Sequence, residues 1–372
     1  MLCDSQKQIS QIAGELTMGM KMDKSDDQQN RENSGRAKLR REKPYVLEKI
    51  LKYEEKHARG EYTPIIEFTY DFVCNMHCPH CSNLCFEERE RSLTPEIIRN
   101  VADQADALGL AQMGISGGEP LFFPDLDKVI EAIGPNRFHL FISTNGTLLT
   151  EDKAKWLKSI GLDKVKISLD GVDENVKYLH SEGQTTSAIK ALKNAKAAGL
   201  QAVAQTVISH QNCRTEGTER MAAFCQENGY NLDVMLAKAI GRWEGHEEVL
   251  IDGADMQHLI KLHEKYPVLH LDTFPTYDEK EGSCGAVKKI LEITKYGDVM
   301  PCVFMHISLG NVFDDKLKDI IDRGLSIKYF HDSSPVCLSG VDRNFISKYM
   351  SRFYGKPLPV SYTEIFDDSD FI

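Results

Sequence analysis

The chain has 372 residues, 41% hydrophobic and 27% charged, with a net charge of −11 and ten cysteines. That length is enough for a full core and predicts two domains plus a tail, because domains commonly run to about 100–200 residues. The acidic excess excludes a general nucleic-acid or anionic-membrane binder, which needs a basic face, and no apolar run approaches the roughly 20 residues that span a bilayer.

Residues 1–43 are rich in Gln, Asp, Lys, Ser and Asn, contain the basic run Arg36 to Arg41, and predict a polar, mobile or loosely docked tail. They lack the basic start and apolar run of an export signal, so the ten cysteines predict a reducing compartment, the cytoplasm, where clustered Cys ligate metal more often than they form disulfides. A helix is expected from Pro44 to Arg59, with Tyr45, Leu47, Ile50 and Leu51 as its apolar stripe.

From Pro64 the pattern alternates between strand and helix. Strands are predicted at Ile65 to Tyr70, Gln112 to Ser116, Phe138 to Ser143, Lys164 to Leu169, Ala202 to Ile208 and Leu232 to Leu236. Thr94-Pro95 and Thr150 read as helix N-caps, while Gly161, Gly199 and Gly229 read as the turns that end helices before strands. Six such units over residues 44–245 predict an α/β fold, a partial (β/α)6 TIM-like barrel with ligands at the carboxyl ends of its strands. Residues 246–372 are assigned to a small C-terminal domain of β-hairpin and helix.

Directly after the first strand comes Cys74-Asn75-Met76-His77-Cys78-Pro79-His80-Cys81. A cubane iron-sulfur cluster takes a thiolate on each iron, so three thiolates leave one iron open for a small molecule. Cys85 adds a fourth thiol, and the loop taken alone also fits a closed zinc site or a fully ligated cluster. The second strand ends in Gly117-Gly118-Glu119-Pro120, the third in Ser143-Thr144-Asn145-Gly146 and the fourth in Ser168-Leu169-Asp170-Gly171. Each alone is an ordinary turn. Together they line up at four consecutive strand ends, where hydroxyl and carboxylate groups suit ribose hydroxyls and a ligand's polar head.

The cysteine spacing and these strand-end motifs resemble the radical S-adenosylmethionine (radical SAM) superfamily. The resemblance implies that Cys74, Cys78 and Cys81 hold a catalytic 4Fe-4S cluster whose open iron binds the amino and carboxylate groups of S-adenosylmethionine. It places His80 against the adenine, Gly117, Gly118 and Glu119 at the amino group, and Ser143, Asn145, Ser168 and Asp170 around the rest of the cofactor. Cys85 is then a free thiol and His77 a loop residue. Gln205, Thr206 and Ser209 are placed to face the cofactor, Cys213 and Cys225 to pack, and Lys238 and Arg242 either to reach a substrate anion or to begin a solvated helix.

Further on, Cys284-Gly285-Ala286, a β-like Ile290 to Thr294, Gly297 to Cys302, Gly310-Asn311-Val312 and a helical Lys316 to Ile321 resemble the SPASM/twitch extension. Cys284, Cys302 and Cys337 become ligands of an auxiliary 4Fe-4S cluster; the dense Cys run of a full SPASM domain is absent, so one cluster is expected. Its fourth iron is left to Asp342, another residue, water or substrate, and isolated or zinc-binding cysteines are the plainer reading. His263, His270 and His306 are taken as surface or packing residues.

The resemblance implies an oxidoreductase of the dehydrogenase or maturase type, fed by a flavodoxin or ferredoxin. It would cleave S-adenosylmethionine reductively and take hydrogen from a small molecule or peptide for net oxidation or bond formation. Epimerisation with Cys85 or Cys213 as hydrogen donor is an alternative, and a non-catalytic electron-transfer or zinc protein is another. The N-terminal stretch is too poor in apolar residues for a leader-peptide-binding domain, which favours a small substrate or a peptide delivered by a separate protein.

Overall fold

The computed structural model describes residues 26–83, 86–173, 183–271, 283–332 and 334–372. Its centre is a parallel run of strands: β1 (Ile65–Asp71), β2 (Gln112–Gly117), β3 (His139–Thr144), β4 (Lys164–Ser168), β5 (Gln201–Ile208), β6 (Asn231–Leu236) and β7 (Leu269–Leu271). All six expected strands form within a residue or two of their expected bounds. Helices Pro95–Ala107, Leu126–Ile133, Glu151–Ser159, Gln184–Ala197, Glu216–Asn228 and Gly253–Lys265 connect them. The Thr94 and Thr150 hydroxyls accept from Ile97 N and Lys153 N, as caps should.

Alternation along each strand sorts the side chains. Ile66, Phe68, Met113, Ile115, Leu140, Ile142, Val165 and Ile167 join the helices in one apolar core. Glu67, Thr69, Ser143, Lys166, Ser168 and Asp233 alternate onto the opposite face, the barrel interior, together with the apolar Phe141 and Val203.

The boundary expected at residue 245 is not where the sheet ends. Helix Gly253–Lys265 feeds β7, which pairs with β6, so the barrel sheet runs on to Leu271. At the other edge, β8 (Ile290–Ile293) pairs in parallel with β1 and turns back into β9 (Val299–Met300). Pairing on both sides covers strand edges that would otherwise expose backbone donors and acceptors.

Two readings of the N-terminal segment change. Within the expected tail, Asp26–Glu42 is a helix, tied down by Lys38 Nζ donating to Gly199 O at 2.9 Å and by Lys158 beside Glu42 at 3.4 Å. The next helix breaks at Lys52 into Pro44–Leu51 and Tyr53–Ala58, and it buries Val46, Leu47 and Lys49 while Tyr45 and Leu51 are exposed. The Lys49 ammonium lies over the Phe138 ring, 4.1 Å from the centroid, and also reaches Asp106 at 2.9 Å. Lys43, 8% exposed, donates to Phe138 O and Gly161 O and pairs with Asp163, closing the amino end of the barrel near β3 and β4.

Candidate active site

Cys74, Cys78 and Cys81 follow β1 at its carboxyl end, all three half-buried and free. Burial lifts all three thiols, Cys78 to about 11, and neighbouring thiols push Cys74 and Cys78 further in the same direction. Arg242 opposes this at Cys78 and Cys81. Three sulfurs that disfavour one another's charge form a site that wants a cation or a cationic cluster core. A single zinc ion, about 2.3 Å from each sulfur, needs sulfurs within about 4 Å of each other. Among the described residues, the only three ligand atoms all within 4.8 Å of one another belong to His210, Asp252 and Asp255, so neither Cys triad is gathered that tightly.

The strand-end motifs build the walls of this site. Gly118 N donates to Asp71 O at 2.7 Å and Glu119 N to Val73 O at 2.9 Å. A Cβ on Gly117 would collide with the Asp71 carbonyl, and one on Gly118 with that of Val73. These glycines therefore let the second strand end clamp the root of the Cys loop. Glu119 is fully buried and its carboxylate accepts from Thr144 Oγ1 at 2.6 Å, Asn145 N at 2.8 Å and Leu121 N at 3.0 Å. Burial pushes its pKa up. Glu119 fastens the end of β2 to the end of β3.

Asn145 continues that chain of contacts, with Nδ2 donating to Asn75 Oδ1 at 2.8 Å within the Cys loop. Ser143 Oγ donates to Glu67 Oε1 at 3.3 Å, and Asp170 Oδ1 accepts from Thr206 Oγ1 at 3.3 Å. The Ser168 carbonyl accepts from Gln184 Nε2 at 2.8 Å, and the same amide reaches Asn145 O at 3.2 Å. Gln184 thus staples the third and fourth strand ends; nothing local in the sequence marks it. His80, held neutral by burial with its pKa near 4, lies beside Trp243 with ring centroids 5.7 Å apart. The segment after β6 closes the site: Arg242 N donates to Cys81 O at 3.1 Å, and Gly241 (φ 59°) touches the same carbonyl so closely that a side chain there would collide. Sequence reasoning had placed Arg242 only at a substrate anion or a helix start.

Cys284, Cys302 and Cys337 come together on the far side of that segment. Burial lifts Cys284 to about 11 and Cys302 to about 12, and the mutual proximity of the thiols adds to both shifts. Cys302 lies just beyond β9, so the hairpin that widens the barrel sheet also carries a ligand. The thiol of Cys337 lies 3.5 Å from Ser339 Oγ. Asp342 is engaged as an N-cap, its Oδ1 accepting from Asn344 N and Phe345 N. Cys213 and Cys225 are fully buried packing residues, and Cys213 Sγ donates to Asp255 O at 3.5 Å. Cys85 lies outside the described residues.

The fold and the first triad define a radical SAM protein. A model of the radical SAM superfamily matches residues 72–212, and one of an iron-sulfur cluster-binding SPASM domain matches residues 284–339, a span that begins at Cys284 and encloses Cys302 and Cys337. The chain belongs to the radical SAM superfamily and carries a C-terminal SPASM domain. A probable GTP 3′,8-cyclase of Methanosarcina acetivorans is 27% identical over 281 residues, covering 68% of this chain and 81% of that protein. Mycofactocin maturase MftC of Mycobacterium tuberculosis is 26% identical, covering 70% and 71%. In fold the chain resembles Streptococcus suis SuiB bound to S-adenosylmethionine, with a TM-score of 0.57 at 19% identity over 78% of this chain and 75% of that one.

Family membership brings S-adenosylmethionine, the radical SAM 4Fe-4S cluster and SPASM iron-sulfur chemistry. No helix among the described residues is long and apolar enough to cross a membrane.

Proposed function

We propose that Cys74, Cys78 and Cys81 hold the radical SAM cluster with one iron open, and that the chain takes hydrogen from a polar small molecule or peptide side chain for net oxidation or bond formation. Bound there, the cluster and S-adenosylmethionine supply a 5′-deoxyadenosyl radical. The chain's own residues do the rest. Asn145 and Asn75 fix the cysteine loop against the third strand end, Gln184 ties the third and fourth ends, and His80 offers a neutral ring toward the adenine side.

The observation that carries this reading is the loop itself: three free, half-buried thiols that follow one carboxyl strand end within eight residues. Cys284, Cys302 and Cys337 hold one auxiliary cluster, which would supply a sink for the electron left on the substrate. Relatives named as a PqqA peptide cyclase and a mycofactocin maturase support a substrate that is modified by bond formation. Cys213 is fully buried in the core, which removes it as a hydrogen donor and weakens the epimerase alternative.

Anaerobically reconstituted protein given dithionite and S-adenosylmethionine should release 5′-deoxyadenosine. Fully iron-loaded protein that releases none would fit the non-catalytic electron-transfer reading instead. Product formed in deuterium oxide would carry no solvent deuterium at carbon under the oxidation reading, and one under epimerisation.

A further inference from the structure

Lys238 stands two residues beyond β6 and is 5% exposed. Its ammonium lies 3.8 Å from the centroid of the Phe304 ring. Among the described residues no carboxylate pairs with it, and it makes no hydrogen bond. A buried cation without an anion is costly and is retained when a counter-charge belongs beside it. The groups that do face it are thiols. Its charge acts on both Cys284 and Cys302. A Cβ built on Gly340 would stand 3.4 Å from Lys238 Cε and 3.5 Å from Cys337 Sγ, so the lysine stem and the third thiol border the same glycine. The ammonium thus lies near all three cysteines of the second triad, with no carboxylate partner among the described residues.

We propose that Lys238 is the built-in counter-ion of the auxiliary cluster and raises its reduction potential; this rests on the reading that Cys284, Cys302 and Cys337 hold that cluster. Each one-electron reduction adds a negative charge to an already anionic thiolate-ligated centre, and a fixed cation in a low-dielectric setting favours the more negative form. Phe304, two residues after Cys302, holds the ammonium by its ring face. The same segment touches the other triad through Gly241 and Arg242, so the two cysteine sites share one short stretch of backbone.

The test uses the full chain with Cys74, Cys78 and Cys81 replaced by Ala, so that only the auxiliary cluster gives a signal. Its potential is measured by dithionite titration followed by electron paramagnetic resonance, with Lys238→Met and Lys238→Arg compared in that background. The Met variant should show at least a tenfold fall in the reduction equilibrium constant, which is about 59 mV for one electron, and the Arg variant should stay near the parent. Loss of the cluster in Met but not in Arg also supports a required charge. An unchanged potential in the Met variant, or loss of the cluster in both, overturns the proposal in favour of a packing role. If the parent background binds no iron, the auxiliary-cluster reading fails instead.

Discussion

The two cysteine triads are built in opposite ways. The first occupies one eight-residue loop, half-exposed at a strand end, and every motif around it belongs to the same βα barrel. The second gathers Cys284, Cys302 and Cys337 from three segments, Cys302 buried and the other two half-buried, where β8 and β9 extend the barrel sheet. A single loop at a strand end suits the exchange of a small cofactor. A site drawn from three segments, with a lysine beside it, suits a centre that stays bound and handles electrons.

The comparison can be broken most sharply at the first triad. Cys78→Ala should abolish 5′-deoxyadenosine formation while leaving the thermal midpoint within a few degrees, because the thiol is only half-buried and lies on a loop; a large fall in midpoint would give it a structural role. Cys302→Ala should lower bound iron from about eight to about four per chain, by the stoichiometry of two clusters, and iron analysis reads this directly.

Gly118→Ala should come next. The added methyl meets backbone, so the cost should be about 1–3 kcal/mol of stability, seen as a lower denaturation midpoint together with poorer loading of the first cluster but not the second. Gln184→Ala removes two hydrogen bonds between strand ends, each worth about 1 kcal/mol, and should weaken S-adenosylmethionine binding by about tenfold in equilibrium dialysis with little change in iron.

The smallest effect concerns Glu292, opposite Glu67 in the β1–β8 pairing and bonded to Thr69. Burial, then the charge of Glu67, raises its pKa well above normal. A carboxyl raised in the folded state contributes fully below its unfolded pKa of about 4.3, and that contribution is lost as pH climbs toward the folded value. Glu292→Gln should therefore flatten the fall in thermal midpoint on the alkaline side of pH 4.3, with its largest gain over the parent at the highest pH tested.

Much of the barrel was legible because its signals are local. Strand alternation, Thr94 and Thr150 caps, and helix-ending glycines each depend on a few neighbouring residues, and the cysteine spacing depends on eight. What stayed hidden depends on distant partners. Helix Asp26–Glu42 has little apolar content and is held by long charged side chains on other elements, so composition read as a tail. The contacts of Glu119 stayed hidden because two of its three donors, on Thr144 and Asn145, are brought near only by folding. Gln184 and Lys238 carry no motif; Gln184 acts through two remote carbonyls and Lys238 through three remote thiols.

The central claim, an open coordination position on the first cluster, is tested most directly in the Cys302→Ala protein, where the auxiliary signal is removed. Reduced and then mixed with S-adenosylmethionine, it should show a changed electron paramagnetic resonance spectrum and release 5′-deoxyadenosine, if only once per chain. A protein holding its four irons whose spectrum does not move, and which forms no 5′-deoxyadenosine, would contradict the account.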